Sequence, residues 1–472
     1  MSFASLEFGL FFALVFAIYC ALSHRGQNGF LLGASYVFYA AWDWRFVFLL
    51  LLSTVVDFSV GRALSQTNDE RRRRHLAALS LVCNLGILGF FKYAGFFSEG
   101  FRDLVGLAGV QVSPFVLDIV LPAGISFYTF QTLSYTLDIY RRRLEPTQNF
   151  FDFALFVAFF PQLVAGPIER ARRLLPQIAA RREISLERIN AGAWLVLWGL
   201  YKKVVIADNL AAVVDAVYRP GSNATSGELI LATYAFAWQI YCDFSGYTDI
   251  ARGAARMMGF DLMLNSRVPY AAANPAEFWR RWHISLSEWL RDYLYISLGG
   301  NRLGAWFTYR NLFLTMVIGG LWPGAAWPFV LWGAYHGVLL MGHRFLRTTA
   351  GGSGGASDLA SGARRMLNCF VLFQFVSLGW LIFRAESLAH IGELLGVLTG
   401  PFEVGLAGDW IFPFCFTLAP LVVMQVAQER TKALDVVLRL PLAARALVYA
   451  SLATGILLIG EQVGQPFIYF QF

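Results

Sequence analysis

The chain has 472 residues, of which 57% are hydrophobic and 16% aromatic while only 15% carry a charge, and its mean hydropathy is +0.53. An average soluble domain carries about a quarter charged residues, so this composition excludes an ordinary soluble enzyme. The net charge of +7 sits in short Arg clusters beside apolar spans, which points to cytosolic loops under the positive-inside rule rather than to nucleic-acid binding.

The first ninety-odd residues, from Met1 to about Phe97, read as four closely spaced membrane helices. The block Phe8 to Ser23 has an apolar centre but neither a basic leader nor a small-residue cleavage site, so it reads as a retained first helix. Further uncharged blocks run from Leu76 to Phe91, Ile119 to Leu137, Phe153 to Ile168, Met366 to Phe383 and Trp410 to Gln428. A spanning helix needs about 20 mostly apolar residues. With their neighbours, the blocks predict roughly eleven to thirteen spanning or re-entrant segments. The five cysteines, Cys20, Cys83, Cys242, Cys369 and Cys415, are far apart in apolar surroundings and have neither metal-site spacing nor a disulfide framework.

From Leu121 to Arg143, Pro122 and Gly124 open a helix rich in aromatics and hydroxyls that stops at Arg141 to Arg143. Hydroxyls facing a bundle interior act as interhelical glue or line a polar path. Pro161, Gly166 and Pro167 then break an apolar run, as expected of a re-entrant loop or helix end. Arg170 to Arg188 predicts an amphipathic interfacial helix. Asn190 to Tyr218 predicts another helix, with Lys202 and Lys203 near its middle, where lysines must snorkel or mark a helix end. In Leu229 to Ile250, Asp243 and Asp249 stand among aromatics, which suggests either an interior carboxylate paired to an Arg or a channel anchor.

The stretch Pro269 to Gly337 organises the chain. Its first half is dense in Trp279, Arg280, Arg281, Trp282, His283, Trp289 and Tyr293, and it leads into Asn311 to Gly342, the longest run without a formal charge. Helical spacing would place Trp279 and His283 on one face. Arginines beside aromatics suit a phosphate, and they equally suit a membrane-interface belt. His283 and His336 are the two imidazoles placed to exchange protons near neutral pH. No nucleophile elbow, phosphate-binding glycine loop or metal-ligand cluster is evident. Any catalysis is therefore expected to be direct transfer helped by a general base, with no bound cofactor and no metal. Pro323, Gly324 and Pro328 interrupt the uncharged run, and Thr348 to Arg365 is a Gly/Ser-rich loop.

Five stretches, Pro122–Tyr135, Phe159–Arg170, Tyr241–Gly253, Asn274–Arg302 and Gly319–Gly337, together resemble the membrane-bound O-acyltransferase family, most closely its bacterial alginate O-acetylase branch. The D-alanyl-transfer membrane protein of teichoic acid synthesis is similar at greater distance. The resemblance implies an all-α polytopic fold, a ring of helices around a transmembrane funnel in one membrane domain over residues 1–472. Within it would lie N-terminal helices (1–97), a catalytic core (115–345), the loop (348–365) and C-terminal helices (366–472). It also implies acetyl transfer from a cytosolic donor, acetyl-CoA or another, across the bacterial inner membrane to an alginate-like exopolysaccharide. Periplasmic acetylation proteins, the polysaccharide and membrane lipid would be its partners, and nucleic acid would not.

The family's cytosolic-side histidine falls on His283. Trp279, Arg280, Arg281, Trp282, Tyr293 and Asp243 would bind the donor or line the funnel. Where the family reads Trp-His-Gly, this chain reads Trp322-Pro323-Gly324, and the displaced histidine is the one assigned as catalytic base. Three readings follow: an inactive transferase kept as a scaffold of a polysaccharide-modifying complex, one that has lost its base by a single substitution, or one in which His336 serves instead. A transporter would show inverted repeats, and none is evident.

Overall fold

The computed structural model describes residues 1–106, 121–164, 166–349, 358–461 and 465–470, which form helices and no strand. In order the helices are α1 (Leu6–Ala21), α2 (His24–Asp43), α3 (Val47–Ser65), α4 (Glu70–Leu88), α5 (Ala94–Gly106), α6 (Ile125–Tyr140), α7 (Phe150–Ala158), α8 (Phe160–Leu163), α9 (Ala171–Ala179) and α10 (Leu186–Leu200). There follow α11 (Asp208–Val217), α12 (Ser226–Met257), α13 (Pro275–Arg281), α14 (Ile284–Trp289), α15 (Ala305–Gly320), α16 (Trp327–Thr349), α17 (Asp358–Arg384), α18 (Leu388–Thr399), α19 (Ala407–Thr431) and α20 (Leu442–Ile459). By length and apolar composition, five segments among the described residues are fit to cross a membrane: His24–Ser65, Glu70–Gly106, Gly362–Arg384, Ala407–Thr431 and Leu442–Ile459. Other apolar runs are divided by proline and glycine into shorter helices, as around Pro161 and Pro323. The core of the predicted Gly/Ser-rich loop, 350–357, lies outside the described residues.

Two compact units emerge. One comprises Met1–Ala193 with Ala251–Met263. Its helices α3, α4 and α6 pack together around the buried Asp57, whose carboxylate accepts from Ser80, from Thr136 Oγ1 at 2.7 Å and from Asn84 Nδ2 at 2.8 Å. The hydroxyl-rich face of α6 therefore works as glue here, because a buried carboxylate must have its lone pairs satisfied. Arg182 is held among Tyr19 Oη (2.8 Å), Ile178 O (3.0 Å) and Gln27 Oε1 (3.1 Å), with its guanidinium 4.9 Å from the Phe260 ring centre. The amphipathic helix expected over Arg170 to Arg188 is shorter: α9 ends at Ala179, three residues past Pro176, and extended chain follows. Once proline has removed one hydrogen bond of the ladder, the Arg182 contacts hold the following segment outside any helix.

The second unit comprises Trp194–Ile250 with Leu264–Phe472. The helix expected from Asn190 to Tyr218 is interrupted by a π-helical segment, Tyr201–Ala207, where the wider turn brings both lysines inward. Lys202 Nζ lies 2.7 Å from Asp249, and Lys203 Nζ lies 2.8 Å from Asp208 and 2.6 Å from Asp243. The expectation of snorkelling or helix-end lysines is thus corrected, as is that of an Arg partner for the α12 carboxylates. Both cations are buried and paired to acids. Helices α15 and α16 meet through glycine: a Cβ on Gly320 would lie 2.4 Å from Phe329 O, and one on Gly333 2.4 Å from Met316 O. Such small-residue contacts let two backbones approach, and they fix the turn that carries Trp322, Pro323 and Gly324.

Candidate functional site

The site is built on the second unit. Asn274 caps α13 by accepting from Glu277 N at 2.9 Å, with Pro275 as the first helical residue. The helix closes after Arg281, and His283 adopts a left-handed backbone, φ 41° and ψ 56°. Asn265 holds the new direction: its carbonyl accepts from Ile284 N at 2.8 Å, and its side chain accepts from Ser285 N at 3.2 Å and Ser285 Oγ at 2.8 Å. The single helical face expected for Trp279 and His283 is therefore wrong. The chain turns between them, and the turn aims both side chains at one space.

That space is a cavity of about 10 Å³ lined by Trp279, Trp282, His283, Trp322, Pro323, Trp332 and Tyr469, with Leu286, Leu290, Met316 and Gly319. Its volume is near that of a single water site, about 10–15 Å³ on the same measure. His283 is 1% exposed, and its ring centre lies 4.6 Å from that of Phe244 and 6.3 Å from that of Tyr469. Burial pulls its imidazole down to about 3, so it is neutral near pH 7. No charged side chain lines the cavity. Among the described residues no three His, Cys, Asp or Glu side chains gather as a metal site.

The other residues singled out in the sequence fall in several places. Pro323 and Trp282 line the cavity with His283. His336 is buried behind that wall, its ring 5.3 Å from Trp279 and 5.0 Å from Trp332, and it does not reach the cavity. Arg280 is exposed. Arg281 bonds Glu277 at 2.9 Å and also Glu429. Tyr293 is buried against Trp289, with ring centres 5.1 Å apart. Asp243 accepts from the backbone N–H of Ile468 at 2.7 Å as well as from Lys203.

That last bond discloses residues missed by motif reading. Phe467 and Ile468 are buried, Phe467 packs 4.5 Å from Tyr247, and Tyr469 enters the cavity wall. A signal was available, since Pro466-Phe467-Ile468-Tyr469-Phe470 is too short to span a membrane and too apolar to remain in water.

The sequence pattern of the MBOAT, membrane-bound O-acyltransferase, family matches residues 141–376, half of the chain. The chain belongs to the membrane-bound O-acyltransferase family. As such it is an acyltransferase and a multi-pass membrane protein, and the matched region contains every cavity residue except Tyr469. It is similar to the probable alginate O-acetylase AlgI of Pseudomonas aeruginosa, 45% identical over 384 residues, 80% of this chain and 71% of the relative. The peptidoglycan O-acetyltransferase of Helicobacter pylori is 35% identical over 399 residues, covering 79% and 74%. The teichoic acid D-alanyltransferase of Bacillus subtilis is 28% identical over 290 residues, covering 57% and 69%. The first two of these relatives support O-acetylation as the acyl transfer of this chain.

Proposed function

We propose that the chain takes acetyl from a cytosolic donor, acetyl-CoA or a comparable thioester, and passes it across the inner membrane toward the hydroxyls of an alginate-like exopolysaccharide, working with periplasmic proteins that complete the modification. The observation that carries this reading is the shared cavity. Position 323, where the family's base is expected, and His283 face one apolar space. In such a transfer the acyl C–S bond breaks, a C–O bond forms, and the hydroxyl proton passes to an imidazole and then to the departing thiolate. With Pro323 present, His283 is the imidazole that remains in the cavity. An apolar wall strengthens whatever polar contact the reacting groups make there.

A second reading, a scaffold within a polysaccharide-modifying complex, is favoured by Pro323 itself, whose side chain has no proton-accepting atom. Membranes holding the chain, given labelled acetyl donor and acceptor polymer, separate the two. On the transferase reading Pro323→His raises turnover by roughly 10²–10⁴, the usual contribution of a positioned base, and His283→Asn removes the activity that the unmodified chain retains. If neither form transfers acetyl, although both assemble with partners, the scaffold reading stands and the transferase reading fails.

A further inference from the structure

We infer that the second unit holds an anionic glycerophospholipid in a lateral groove, one acyl chain in the groove and the phosphate at its cationic end. The groove encloses about 590 Å³ between α17 and α19, two segments fit to cross a membrane. That is within the roughly 300–1,000 Å³ of small-molecule sites. Its walls are apolar, with Phe370, Phe373, Val422 and Val426 along the two helices, joined by Tyr270 and Ala271. Phe370 is 64% exposed and Val426 44%, so the groove opens sideways.

One end of the groove is charged. Arg281 and Lys432 bond Glu429 there, Arg365 bonds Glu277 at 2.9 Å and Ala271 O at 3.2 Å, and Arg267 reaches Lys432 O at 3.4 Å. With Arg430, which lines the groove, five cations stand against two carboxylates, an excess of three positive charges. Cations at the ends of spanning helices lie at headgroup depth and attract anionic lipid. A neutral headgroup would leave that excess unanswered. A free anion would leave the apolar walls uncovered. A phospholipid with a net negative charge satisfies both.

Cys369 provides an internal reporter, because it lines the groove and its thiol donates to Ala271 O at 3.3 Å. The test uses the full chain in nanodiscs of phosphatidylglycerol or of phosphatidylcholine with the same chains, follows maleimide modification of Cys369 by mass spectrometry, and counts retained lipid by native mass spectrometry. Phosphatidylglycerol is expected to slow the modification by roughly 30- to 150-fold relative to phosphatidylcholine, as two or three surface cations on one headgroup would produce. In Arg430→Glu/Lys432→Glu the difference should disappear. Val426→Trp narrows the groove without touching a cation and should lose the retained phosphatidylglycerol. Equal protection by both lipids overturns the proposal, as does equal protection by inorganic phosphate alone. Protection that follows protein concentration rather than lipid would assign the groove to a second copy and overturn it as well.

Discussion

Lys203→Met is the sharpest test of how the second unit is held together. Lys203 and both its partners are about 2–3% exposed, with the ammonium 2.8 Å from Asp208 and 2.6 Å from Asp243. Methionine keeps the length of the stem but removes the charge, so two carboxylates are left buried with nothing between them. Removing one member of a buried pair costs about 3–5 kcal/mol, and the like-charge contact places this case at the upper end. Asp243→Asn is milder, about 1–3 kcal/mol, because Lys203 keeps Asp208 and an amide oxygen can still accept from Ile468 N. Asp243→Ala loses that acceptor too, and it should free Phe467 to Tyr469 from the cavity wall. The assay is thermal unfolding of the detergent-solubilised protein, with limited proteolysis reporting the residues after α20. Lys203→Met should lower the midpoint by on the order of 10 °C, and neutralising both aspartates in the same chain should restore most of it. A Lys203→Met protein as stable as its parent, or one that Asp208→Asn/Asp243→Asn fails to rescue, would refute the account of these ion pairs.

Three further outcomes follow from the packing. Gly333→Ala would place a methyl 2.4 Å from Met316 O, which should cost about 1–3 kcal/mol of thermal stability and weaken transfer by shifting Pro323. Gly342→Ala, with nothing within 4 Å, is the control and should be neutral on both readouts. Arg182→Met leaves Gln27 and Tyr19 without their shared partner and should destabilise the first unit by about 2–3 kcal/mol, measured by the same melt. His283 binds a proton less readily folded than unfolded, since its value falls from 6.5 to about 3. Its contribution to stability is therefore full above pH 6.5 and is lost as pH falls toward 3. A melt series from pH 7.5 to about 4.5 should show a decline that is shallower in His283→Asn.

Much of the fold was legible because lipid leaves few alternatives to the helix. Length and the scarcity of charge identified the membrane class, and Pro122 and Gly124 marked the start of α6 within a few residues. What could not be read was where a helix departs from its regular period. Nothing in Trp279 to His283 announces that the chain turns left-handed at His283, because Asn265, eighteen residues earlier, imposes that turn. The inward rotation of Lys202 and Lys203 depends on a π-helical turn whose reward, Asp208 and Asp243, is tertiary. Likewise, that Pro323 and His283 line one space while His336 lies behind Trp332 is a matter of packing between α13 and α16. Residue type named the two histidines and the family resemblance named position 323, but neither could sort them.

The left-handed backbone at His283 decides which substitutions can interrogate its chemistry. At φ 41° a β-branched residue would strain the turn, and alanine would cost roughly 1–2 kcal/mol there. Any lost activity would then mix geometry with proton transfer. Asparagine tolerates this conformation better than other side chains and carries no base. His283→Asn therefore removes the imidazole while leaving the Asn265 clamp and the start of α14 in place, and because glycine removes it too, the difference between the two variants reports on the backbone.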